Sequence, residues 1–228
     1  MSRAVTDIPS LQWLRNRKTK AVYKEACERY DLIYFGAVDQ QSDEHKMVRG
    51  VTLSTSHRDA HYCVGSIQGW DVILLERTDT IEYPGKPTKD YRWNILQVDL
   101  KSARLPHILL DAHHHNETFY AQLFTKFVRL THADVNIFAD HESPFTTRYS
   151  VYTPPDSLDS LPLLFPADTT SVIGHHFSQF DYECFQDRLL IYSLDHAPTK
   201  QHIDLMIRAG LWLANELEEN SKTFHTGI

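Results

Sequence analysis

The chain has 228 residues, of which 42% are hydrophobic and 23% charged, and its 23 Lys+Arg against 30 Asp+Glu give a formal net charge of -7. This composition belongs to a folded globular chain and excludes an intrinsically disordered one. No apolar run approaches the ~20 residues a membrane-spanning helix requires.

The charge is divided unevenly. Residues 1–130 carry 18 basic and 16 acidic side chains, whereas residues 131–228 carry 5 and 14. An acidic second half argues against nucleic acid as a partner, because phosphate backbones are held by Lys and Arg. The N-terminal stretch Met1–Trp13 lacks the apolar core of a signal peptide, and Cys27, Cys63 and Cys184 stand far apart in no ligand-like pattern. The expectation is a cytoplasmic protein with all three cysteines reduced and unpaired.

In chain order, the first helix is predicted from about Ser10, a good N-cap, to Tyr30, with Leu11, Leu14, Ala21, Val22 and Ala26 as a partial apolar stripe. Its basic stretch Arg15–Lys20 reads as a solvated face. Strands follow: Val51 and Leu53 alternate with polar residues, and Tyr62–Ile67 leads through a tight turn at Gln68-Gly69 into Trp70–Leu75. That last segment is apolar on both faces for much of its length and reads as a central strand. Tyr83–Pro87 reads as a loop, and Asn94–Leu100 and His107–Ala112 as two further strands. Glu117–Lys126 has helical spacing. Phe145–Thr153 reads as a strand, a short helix from Ala167 takes Asp168 as its cap, and Phe180–Phe185 and Leu189–Leu194 form a hairpin.

The final helix carries Ile203, Met206, Ile207, Gly210, Leu213, Ala214 and Leu217 on one stripe, with Thr199 as N-cap. The acidic Glu216, Glu218 and Glu219 oppose the helix dipole, so the last turn is expected to fray. Without strict strand–helix alternation, the expected class is α+β: a mainly antiparallel sheet with an N-terminal helix and a C-terminal amphipathic helix packed on it. Residues 1–228 are taken as one domain; if there are two lobes, the seam lies near Leu130–Ser143.

Chemistry is sought first among the 14 histidines. Alternation along a strand continued past Ala112 would put His107, Asp111, His113 and His115 on one face, where His113 and His115 could share a divalent ion. A third ligand would come from His57, His61, Asp134, Asp140 or His141. The competing reading buries Ile108, Leu110 and Ala112 and leaves the polar set in solvent. Neither the His-x-His-x-Asp-His pattern nor His-Glu-x-x-His is present: Glu117 and Thr118 stand where the first needs Asp and His. Gly65–Gly69 is no nucleophile elbow, because its serine is one position early. No phosphate loop or dinucleotide fingerprint occurs. Cys63 reads as a small buried hydrophobe. Asn116-Glu117-Thr118 matches a glycosylation acceptor by chance.

The stretch Phe145–Tyr152, continued through Leu163–Pro166, Phe180–Glu183 and Asp187–Ser193, resembles an uncharacterised bacterial α+β protein family. Arg49–Val51 and Trp93–Leu100 are similar to it as well. The resemblance implies the fold and transfers no chemistry, cofactor or site residue. Members often carry an N-terminal transmembrane hairpin, which this chain lacks. The sequence therefore points to a non-catalytic binding or interaction module for an unknown protein or small molecule, with no cofactor. The alternative is a metal-dependent hydrolase using His113 and His115, so whether it is an enzyme stays open.

Overall fold

The computed structural model describes residues 9–37, 56–81, 89–112, 130–138, 142–194 and 197–226. The elements run α1 (Pro9–Tyr30), β1 (Ile33–Gly36), β2 (Ser56–Ile67), β3 (Trp70–Ile81), β4 (Lys89–Asp99), β5 (Leu105–Ala112), β6 (Thr131–Ala133), β7 (Tyr149–Thr153), α2 (Leu161–Leu164), α3 (Ala167–His176), β8 (Asp181–Gln186), β9 (Arg188–Ser193) and α4 (Lys200–Thr226). The nine strands form one sheet in the order β1-β2-β3-β4-β9-β8-β5-β7-β6. All its pairings are antiparallel. This is the expected α+β class.

Turn chemistry sets the register of the β2–β3 hairpin. Gln68 and Gly69 both adopt positive φ, 53° and 80°, so a two-residue turn joins Ile67 to its partner Trp70. Side chains then alternate across two buried faces. On the helix face, Val72, Leu74, Leu96, Val98, Ile108, Leu110, Leu189 and Ile191 meet the helices in one core. On the far face, Ile73, Leu75, Trp93, Ile95, Leu109, Leu190 and Tyr192 form a second core. This is why β3 reads as apolar on both faces.

Helix α4 begins as expected: the Thr199 hydroxyl accepts a hydrogen bond from the His202 N–H at 3.2 Å. Ile203, Met206, Ile207, Leu213, Ala214 and Leu217 are fully buried or nearly so. Gly210 lets the helix lie close on the sheet, since a Cβ there would sit 2.7 Å from Leu96 Cδ2 and 3.0 Å from Ile191 Cδ1. Among the described residues no helix is long and apolar enough to cross a membrane.

Several expectations are corrected. β1 was not foreseen. β2 starts at Ser56, so His57 and His61, which precede the strand expected from Tyr62, belong to it. β7 is shorter than expected because Ser143–Thr146 form a hydrogen-bonded turn, with Ser143 N–H donating to Thr146 Oγ1 at 2.8 Å and Thr146 N–H to Ser143 Oγ at 3.2 Å. Pro166, not Asp168, occupies the N-cap of α3. α4 continues to Thr226, past the acidic residues expected to fray it. The strands flanking residues 130–143 belong to the same sheet. The helix at Glu117–Lys126, the loop at Tyr83–Pro87 and the strand at Val51–Leu53 lie outside the described residues.

The cysteine expectation fails outright. Cys27, near the end of α1, and Cys63, in β2, form a disulfide across 36 residues with Cα atoms 5.9 Å apart. Helix α1 lies over β2 at this point, and both residues are buried. Cys184 is a buried free thiol, and burial pushes its pKa upward.

Candidate functional site

The histidine-rich strand is the natural place to begin. In β5, Ile108, Leu110 and Ala112 face the helices, and His107, Leu109 and Asp111 take the far face. The alternation is as expected, but the far face is not a solvent face: Leu109 is fully buried in the second core, and His107 and Asp111 are half-buried. His107 and Asp111 are four positions apart, so about 13 Å separates them along the strand. His113 and His115 lie outside the described residues, as do Asp140 and His141.

His107 instead turns to β8. Its Nε2 lies 2.6 Å from Glu183 Oε1. The other Glu183 oxygen accepts a hydrogen bond from the Tyr192 hydroxyl at 2.6 Å, and the Phe185 ring stands edge-on to the imidazole at 5.1 Å. Asp181, fully buried, accepts from the Ala112 N–H at 2.9 Å and so fastens the end of β5 to β8.

A second polar join sits toward the β2–β3 end of the far face, and sequence reasoning missed it. Arg77 in β3 donates from Nε and Nη2 to the two carboxylate oxygens of Asp59 in β2, both at 2.6 Å. The Tyr62 hydroxyl adds a third hydrogen bond to Asp59 at 3.1 Å. Asp59 is 1% exposed and Arg77 2%. Burial works to lower the Arg77 pKa, but the hydrogen bonds and charge of Asp59 outweigh it and raise it. The hint in the sequence was the polar run Glu76–Asp79 continuing a strand whose Val72–Leu75 stretch is apolar.

On the helix face, His61 is the unusual residue. It occupies a β-bulge between Ala60 and Cys63 with φ +57°, a conformation costly for a residue with a side chain. Its Nδ1 lies 2.8 Å from the Tyr34 hydroxyl, and the Tyr23 ring packs 5.3 Å away. Burial, then the positive charges of Lys20 and Arg92, lower its pKa to about 4, so the imidazole is neutral at pH 7.

Other expected ligands are dispersed. His57 falls in β2, in register with Asp79. Asp134 caps a 3₁₀ turn by accepting from the Asn136 N–H at 3.0 Å. Among the described residues no three His, Cys, Asp or Glu are grouped so as to hold a metal ion.

No protein-family model matches the chain, and no curated protein does. A solved structure does: the chain is similar to the mycobacterial trehalose monomycolate transport factor A, TtfA, with a TM-score of 0.56 and 12% identity, over 90% of this chain and 93% of that one. At that identity the likeness is one of fold, and it is in keeping with a resemblance to bacterial α+β proteins.

Proposed function

We propose that the chain is a non-catalytic binding or interaction module whose partner is another protein or a small molecule. The observation that carries this reading is the mutual engagement of titratable side chains on the far face: Asp59 with Arg77 and Tyr62, and Glu183 with His107 and Tyr192. Such groups pin strand register, and drawing one into proton transfer or metal ligation would take a hydrogen bond away from its partner. The acidic second half supports a partner other than nucleic acid. The structural neighbour is named as a transport factor, and an accessory binding role is in keeping with that. In this reading residues 1–228 act as one unit, supported by the single sheet running through both halves.

The expectation of a cytoplasmic protein rested on the absence of a signal-peptide core in Met1–Trp13 and on three unpaired thiols. The Cys27–Cys63 disulfide supports an oxidising compartment in its place. The functional reading is tested by elemental analysis of protein purified without a polyhistidine tag. Metal far below one equivalent is expected. One equivalent of zinc or manganese per chain would overturn the reading in favour of the hydrolase.

A further inference from the structure

The β1 edge of the sheet gathers side chains that neither core uses. Helix α1 has two flanks beside the face it lays on the sheet. On the flank toward α4, Glu25 pairs with Lys200 and Arg29 with Asp204. On the other flank, Lys24 reaches over β1, with its ammonium 5.5 Å from the centre of the Tyr34 ring. Lys20 precedes it by one turn and shares this outer flank. Both lysines are exposed, and neither makes an ion pair among the described residues.

Strand β2 adds a third cation. β1 pairs only with Tyr62, Cys63 and Val64, so the earlier part of β2 has no described strand on its outer side. Arg58 stands there, exposed and likewise without an ion pair among the described residues. It is in one row with Thr78 and Arg92 across β2, β3 and β4. Residues paired in this way share a face, and Arg92 meets Asn16 of α1 at 3.3 Å. Arg58 therefore lies on the helix face, beside the N-terminal half of α1. Glu28 and Asp31 are exposed where α1 passes into β1 and mark the end of the cationic flank.

The same edge is apolar on its other side. Ile33 and Phe35 are the most exposed large apolar side chains among the described residues. Tyr34, between them, meets His61 on the helix face, so alternation turns both toward the far face. The Cys27–Cys63 disulfide fastens α1 to β2 and holds the cations and the apolar pair in one rigid piece.

We infer that the β1 edge docks peripherally on an anionic lipid surface, with Lys20, Lys24 and Arg58 against the headgroups and Ile33 and Phe35 in the interface. Unpaired cations on long stems beside exposed apolar side chains complement such a surface, which offers phosphates outside and hydrocarbon within. Two apolar side chains offer far less than the ~800 Å² per partner of a stable protein interface. The edge is also blunted against strand addition by a second copy: β1 has four residues, and its register breaks between Tyr34 and Gly36. The net charge of -7 does not oppose docking from afar, because screening confines exposed charges to about 8 Å at physiological salt. The inference goes beyond the binding-module reading and does not depend on it.

The test is flotation of the full chain with vesicles of phosphatidylcholine alone or of phosphatidylcholine with phosphatidylglycerol. Binding to the anionic vesicles only, reversed by high salt, is expected. Lys20→Gln, Lys24→Gln and Arg58→Gln change exposed side chains, so the fold is retained, and each should weaken binding about fivefold. Arg104→Gln removes an equal exposed charge beside Asp187 and should leave binding unchanged. Ile33→Ser/Phe35→Ser should weaken binding to the anionic vesicles as well. The inference is overturned if the anionic vesicles do not bind, if Lys20→Gln and Arg104→Gln weaken binding equally, or if the Ile33→Ser/Phe35→Ser protein binds like wild type. A dimer formed without lipid and dissociated by Phe35→Ser would also overturn it, and would assign the edge to a second copy.

Discussion

Glu218, in the penultimate turns of α4, holds Ser102 in the turn between β4 and β5 through both the Ser102 N–H, at 2.9 Å, and its hydroxyl. The Lys101 N–H, at 2.5 Å, and the Ala103 N–H, at 3.3 Å, donate to the same carboxylate. An acidic residue that looks misplaced at the C-terminal end of a helix is thus the clasp between that helix and a strand connection. Glu218→Ala should cost about 2–3 kcal/mol in chemical denaturation, the range for charged hydrogen bonds to groups left unpaired. A cost below roughly 0.5 kcal/mol, the level of an ordinary surface change, would show the clasp to be idle.

The same contact has a pH signature. Burial works to raise the Glu218 pKa, but hydrogen bonds from Ser102, Ala103 and Lys101 outweigh it and hold it below the ordinary 4.5. A depressed folded pKa contributes stability that is present above the unfolded pKa and is lost as pH falls through the folded one. Wild type should therefore lose more stability than Glu218→Gln on acidification below about pH 4.5. Parallel acid profiles for the two proteins would contradict this.

The disulfide should be measurable by mass and by stability. Denatured protein alkylated without reductant should take one label, on Cys184, and three after reduction. By loop closure over 36 residues, reduction or Cys27→Ser/Cys63→Ser should cost about 4 kcal/mol. Three labels without reductant would remove the bond and the argument for an oxidising compartment.

Gly174, in α3, faces backbone that cannot give way. A Cβ there would lie 2.6 Å from Phe145 N and 2.9 Å from Pro144 C. Gly174→Ala should destabilise by about 1–3 kcal/mol, the usual penalty of overpacking, despite the helix propensity it gains. A neutral or stabilising effect would mean that α3 is not seated against Pro144-Phe145.

What could be read from residue order was what is local. The apolar stripe from Ile203 to Leu217, the Thr199 cap and the Gln68-Gly69 turn depend on neighbours within a few positions, and each is found where expected. β1 has only four residues on a sheet edge, with Ile33 63% and Phe35 60% exposed, too short to show an apolar period. The Cys27–Cys63, Asp59–Arg77 and His107–Glu183 pairs are set by how elements distant in sequence come into register. Alternation could place His107 and Asp111 on the face opposite Ile108, yet it could not say whether that face meets water. The apolar character of Trp70–Leu75 on both sides was the clue that it does not.

The most direct test of the account is a thermal melt of three samples: untagged wild type, wild type with EDTA, and His113→Ala/His115→Ala. If the far-face polar groups serve structure and the chain functions by binding, the three midpoints should nearly coincide. A metal held only by the folded state at 100–1,000 times its Kd would contribute about 3–4 kcal/mol. A matched fall of several degrees with EDTA and in the double variant would contradict the account and make the metal-dependent hydrolase the leading reading.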